Sequence, residues 1–223
     1  MVDTPCMPSI KMLGILGERV TIRTFDFCAL QFLNQWLEKE ASYCKSLASS
    51  DIATQRQALG AAGAHFRVAR NLPRKYESER SLQRYQPVLN ILNELGSVTP
   101  SNMVEIVENT RQRISSEYGQ RNVLSLTTKF LWLKIKSPVR IYDRQARVAL
   151  GTPDGDFVAF NNAFTAKYAE SQDQIEKACG KLVDMASYSV RPNMQQAELR
   201  DLVSSQWFKE RVLDIYLWNQ GNA

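Results

Sequence analysis

Histidine is nearly absent from this chain: His65 is the only one in 223 residues. Catalysis by a histidine relay of several residues, or a zinc site built on clustered His and Cys, has little to draw on. The four cysteines, Cys6, Cys28, Cys44 and Cys179, stand far apart, and none forms a CxxC pair. That excludes the short-spaced ligand sets of zinc sites and iron–sulfur clusters, so no metal and no cofactor is expected. Reduced thiols packed in a core are the expectation instead. His65 remains as a lone acid or base. Long apolar runs are also missing. Runs such as Phe130-Leu131-Trp132-Leu133 fall far short of the roughly 20 residues that span a bilayer, so no membrane partner is expected. Residues 1–14 lack the basic stretch and apolar run of a secretory signal, which makes the cytoplasm the expected location.

What is present is a basic, helix-forming chain. Hydrophobic residues make up 44%, enough for one sizeable core or a core split into two lobes. Net charge is +5, and its distribution is uneven: residues 151–223 carry −3 and the first 150 carry +8. A basic body of this kind suits a polyanion, with scattered solvated lysines as the plainer alternative. One basic series, Arg67, Arg70, Arg74, Lys75, Arg80 and Arg84, surrounds Leu72-Pro73. It is either a DNA-backbone contact or a set of solvated helix faces.

Apolar residues recur at helical spacing almost everywhere. The pattern predicts a helix over 27–48 and another that Asp51 caps and Leu72-Pro73 ends. A third spans 78–95, kinked or split at Pro87 and stopped by Gly96. Helices over 101–118, ended by Gly119, and over 123–135 follow. A shorter one runs from Asp143 toward Gly151, and one over 157–188 is interrupted near Ser171 or Gly180. A final stretch over 195–219 can be in two pieces. Only residues 10–23 look irregular or weakly strand-like. The expected fold is all-α, with short loops and no repeats.

The segment from Leu124 to Leu150 is the most specific. Between Arg121 and Leu150 there are seven basic residues and one acid, Asp143. Ser125, Thr128, Lys129 and Trp132 share one helix face by spacing, and Leu124, Leu131 and Ile135 define an apolar face beside it. Ser137-Pro138 ends that helix, and Val139 and Ile141 can bury in the extended approach to Asp143. Aspartate is a favoured N-cap, and on this ground alone capping is its expected role. Its solitary position in a basic stretch, beside Ile141 and Tyr142, is the argument for chemistry.

This stretch resembles the core of the helix-hairpin-helix DNA glycosylase superfamily, which includes MutY, endonuclease III and the 8-oxoguanine glycosylases. There, a hairpin leads into a helix bearing a Lys or its replacement, and a catalytic Asp follows about eighteen positions later at the start of another helix. Ser125 and Asp143 are eighteen apart, and residues 141–150, IYDRQARVAL, resemble the MutY-type ILDGNVKRVL element. The resemblance covers about thirty residues. Two positions depart from the pattern. Arg121-Asn122-Val123 stands where the family has its phosphate-holding Gly-x-Gly, and Ser125 stands at the lysine position, as in monofunctional members that use water. Lys129, one turn on, is the alternative nucleophile.

The resemblance implies a two-lobed helical glycosylase-like domain over residues 1–223, with its cleft near 119–151. It implies a monomer that hydrolyses the N-glycosidic bond of a damaged or modified base in double-stranded DNA, in repair or in defence against phages with modified DNA. Asp143 would stabilise the cationic sugar, with Ser125 or Lys129 beside it. Gln120, Arg121, Asn122 and Arg144, with Arg70, Arg74 and Lys75, would hold DNA. Tyr118, Trp132, Tyr142 and Asn162, chosen by residue type along with Gln120 and Asn161, would form the base pocket or wedge. The competing expectations are a non-catalytic DNA-binding module and a helical protein-interaction domain. If Asp143 is only a cap, Asp143→Asn costs little, because asparagine caps as well.

Overall fold

The computed structural model describes residues 23–72 and 83–222. Every regular element among them is helical, with no strand. The α-helices are α1 (Phe25–Gln35), α2 (Ala41–Leu47), α3 (Ile52–His65), α4 (Gln86–Asn93), α5 (Met103–Glu117), α6 (Leu124–Ile135), α7 (Arg144–Ala149), α8 (Phe157–Lys181), α9 (Gln196–Ser204) and α10 (Gln206–Gln220). No helix among the described residues is long and apolar enough to cross a membrane.

Several starts follow from the sequence. Thr24, Asp51, Asp143 and Asp156 each accept a backbone N–H of the first turn they cap, in α1, α3, α7 and α8. The α5–α6 turn uses a glycine for a specific reason. Gly119 has φ +79, and this left-handed step lets the Gln120 N–H reach back to the Ser115 carbonyl, closing the end of α5.

Other expectations are corrected. The helix predicted over 27–48 is interrupted by a π-helical turn, Trp36–Glu40, between α1 and α2. One residue too many for the α-period re-aims the segment. Glu40 becomes fully buried, and Trp36 packs on Trp132 and Trp207. Pro87 does not kink a helix: it lies in the first turn of α4, where its missing N–H costs nothing. That helix ends at Asn93, before Gly96. Helix α8 runs unbroken past Ser171, which is buried as a small residue on its core side, and Gly180 falls in its last turn. It stops at Lys181 and only a short 3-10 turn, Ala186–Tyr188, follows. The expected strand-like stretch lies outside the described residues but for Arg23, as do Cys6, Arg74, Lys75 and Arg80.

Most helix contacts fall into two sets around one continuous core, with α5 packed on α8 between them. In one, α2, α3, α4, α5 and α6 pack in succession; in the other, α10 packs against α1, α7, α8 and α9. Helix α6 is buried on all sides for most of its length, so the apolar face drawn from the sequence is only part of what it hides. Buried Cys28 and Cys179 and half-buried Cys44 are free thiols, and burial pushes all three well up, to about 11, 12 and 11.

Candidate active site

Lys129 sits on buried α6 with its side chain only 6% exposed. Its ammonium has two partners. It donates to Ser125 Oγ at 2.7 Å, one turn back on the same helix, and to Asp143 Oδ2 at 2.9 Å. Ser125, Lys129 and Asp143, the three catalytic candidates, therefore meet at one point.

Local chain chemistry brings Asp143 there. After α6 the chain turns back in an extended approach, with Val139 and Ile141 buried. The Tyr142 N–H donates to Thr128 Oγ1 at 3.0 Å, and Thr128 in turn donates to the Leu124 carbonyl at 3.2 Å. The approach is thus stitched to α6 one residue before the carboxylate. Asp143 is extended, and its Oδ1 accepts the Gln145 N–H at 3.1 Å. One oxygen caps α7 while the other holds Lys129.

Beside this pair lies a cavity of about 380 Å³, within the usual range for small-molecule sites. Its walls come from five places in the chain. Lys129, Ile141 and Asp143 form one side, and α10 supplies Arg211, Asp214, Ile215 and Trp218. Gln31, Gln35 and Glu40 come from α1 and the π-helical turn, and His65, Phe66 and Arg67 from the end of α3.

The cavity floor is ionic. Arg211 donates to Glu40 Oε1 at 3.0 Å and also to Asp214, and all three are buried. The guanidinium lies over the rings of Trp132 and Phe32, 4.9 and 5.0 Å from their centroids. Burial works against the charge of Arg211, but the two carboxylates outweigh it and hold the guanidinium more firmly charged. Burial wins at Asp214: its carboxyl is pushed up to about 6, with Arg211 opposing the rise and Asp143 and Glu40 adding to it. One cation shared between two carboxylates cannot fully compensate both. Glu40 Oε2, Asp214 Oδ1 and Arg211 Nε have no hydrogen-bond partner. Among the described residues, no group of three or more His, Cys, Asp or Glu is placed to hold a metal ion.

The other candidates are spread out. Trp132 is buried under Arg211 in a cluster with Phe32, Trp36 and Trp207 and does not line the cavity. Buried Tyr142 packs on Phe160, donates to Asp154 and accepts the Gly155 N–H, so its hydroxyl anchors the loop before α8. Buried Tyr118 donates to the Arg84 carbonyl. Asn162 is exposed on α8, and Asn161 accepts from Arg140. Gln120, Arg121 and Asn122 are exposed in the α5–α6 turn, Arg144 is exposed on α7, and Arg70 is exposed on a short 3-10 turn, Ala69–Asn71. Arg84 is turned inward, donating to the Leu72 carbonyl at 2.8 Å and to that of Ala69.

Sequence reasoning missed Glu40, Arg211 and Asp214. A usable signal was present: Arg211 and Asp214 stand at i, i+3 among Val212, Leu213, Ile215 and Leu217, all buried. Charges set within an apolar stripe must be paired or functional. Comparison of the chain with protein-family models, curated proteins and solved structures gives no match.

Proposed function

We propose that the protein releases a base from DNA by breaking its N-glycosidic bond in this cavity, with Asp143 and Lys129 as the reacting pair. The observation that carries this is the Lys129–Asp143 contact of 2.9 Å on the wall of a cavity large enough for a small molecule. As the bond breaks, positive charge grows on the sugar. A carboxylate fixed at a helix N-terminus stabilises that charge without reorganising. Capping supports this chemistry, because the N–H of Gln145 keeps Asp143 aimed. The exposed Arg121, Asn122 and Arg144 would contact phosphates, and the flipped base would enter between Phe66 and Trp218.

Lys129 serves as the amine that attacks the sugar, the alternative to the water-based attack that Ser125 at the lysine position implies. Ser125 is then the hydroxyl that holds the amine one turn back. The nucleophile must lose its proton to react, and Asp143 at 2.9 Å is the adjacent acceptor, passing that proton on to solvent so that the carboxylate is charged again when the sugar cation forms. A second reading keeps Lys129 protonated as the counter-charge of Asp143 and gives the attack to water; the ion pair itself favours it. Both readings draw on the resemblance of residues 124–150 to helix-hairpin-helix glycosylases and on the all-helical fold.

The test is base release from duplexes bearing varied modified bases, read as abasic sites, with borohydride present to trap a Schiff base. Trapping in the wild type and none in Lys129→Gln identifies the amine as nucleophile. Release without trapping assigns the attack to water. No release from any duplex, with Asp143→Asn indistinguishable from wild type, would sink the enzyme reading and leave a DNA-binding or protein-interaction domain.

A further inference from the structure

The bond to a neutral base breaks heterolytically, with its electron pair going to the base nitrogen. That nitrogen needs a proton to leave as a neutral species. Lys129 and Asp143 are already committed to each other, so the donor must be another group on the cavity wall. Arg67 and Arg211 do not give up protons. Asp214 is tied to Arg211, and Glu40 is fully buried. His65 is different. Its side chain is 23% exposed, it lines the cavity, and its ring is held between Tyr43 and Phe66, at 5.8 and 4.9 Å. Its Nε2 lies 3.9 Å from Glu40 Oε1, so a buried carboxylate stands behind the imidazole.

We propose that His65, backed by Glu40, is the proton donor to the departing base. This rests on the base-excision reading above. The imidazolium gives one proton to the base nitrogen as the C1′–N bond breaks, and the electron pair of that bond stays on the base. The sugar cation is captured by Lys129 or water, and His65 regains its proton from solvent. Charged groups share the cavity with His65. Glu40 lies behind it, Arg67 is two residues on, Arg211 and Asp214 stand beyond Glu40, and Lys129 and Asp143 share the cavity. Tyr43 is the titratable neighbour on α2. The role also selects a substrate class: bases that are neutral in DNA need this proton, whereas bases already cationic through ring alkylation do not.

Single-turnover base release by tag-free wild type and His65→Gln, from about pH 5 to about pH 8, tests this. The wild-type rate should fall as pH rises through the imidazole titration. His65→Gln should be slower by roughly 10²-fold with that limb lost, while its melting temperature and duplex binding stay unchanged. Because the chain has one histidine, its imidazole proton resonance is unambiguous and should move when a duplex carrying a non-cleavable analogue of the released base is added. That measurement needs no variant. Release at an equal rate and with an equal pH profile in His65→Gln, or a resonance that does not move, overturns the role of His65 and leaves Lys129 and Asp143 standing. A wild type that releases no base overturns both.

Discussion

At Asp143 the two carboxylate oxygens have separate partners, and substitutions can take them apart. Asparagine keeps the cap on α7 but removes the counter-charge of Lys129, which is 6% exposed. The sequence alone predicts little cost for Asp143→Asn. With the buried partner known, the expected loss is about 1–3 kcal/mol, and Asp143→Ala should lose about 1 kcal/mol more through the cap. Chemical denaturation of both variants and of Lys129→Gln/Asp143→Asn checks this. The double variant should be more stable than the sum of the single losses, because no buried charge is then left alone. Asp214 makes a second prediction. Its folded carboxyl holds its proton up to about 6, above the ordinary aspartate value near 3.8 that the unfolded chain keeps. The folded state therefore binds more protons between those values, and the stability Asp214 contributes falls as pH rises across that window. The stability of the wild type relative to Asp214→Asn should drop from pH 4 to pH 6 and level off above, measured by urea unfolding at each pH.

At the scale of elements, the site depends on how α10 lies against α7. A Cβ at Gly221 would stand 2.0 Å from the Gln145 carbonyl oxygen, so only glycine lets the two backbones approach there. Gln145 is also the residue whose N–H holds Asp143. Gly221→Ala should push the end of α10 from α7, lower the melting temperature by several degrees and loosen Asp143, whereas Gly96→Ala, with open space around it, should not. The same elements show what could be read from sequence. Caps at Asp51 and Asp143, the stop at Gly119 and the break after α6 depend on neighbours in the chain, and local chemistry makes them legible. The π-helical turn does not: Trp36–Glu40 fits the α-period in sequence, and the partner that its end meets, Arg211, lies 171 residues away from Glu40. Lys129 was within reach as one turn beyond Ser125, but whether the amine or the hydroxyl meets the carboxylate is settled only by the path of residues 139–142.

Across the whole molecule, charge is segregated in a way that bears on a polyanion. The basic first 150 residues carry the α5–α6 turn and α7, with exposed Arg121 and Arg144, and the acidic remainder contributes the cavity floor through Arg211 and Asp214. If DNA lies along the basic side, its affinity should fall steeply with salt. Arg121→Ala should reduce the slope of log affinity against log salt by about one, measured by fluorescence anisotropy from low to moderate salt. An affinity indifferent to salt would remove the polyanion argument. The order of the wall segments along the chain has a further consequence. Helix α10 comes after every other element that lines the cavity. Helix α7, which Asp143 caps, has α10 as its main packing partner, so in a chain emerging from the ribosome Asp143 is seated and the cavity gains its floor in one step, when α10 has been made and docks.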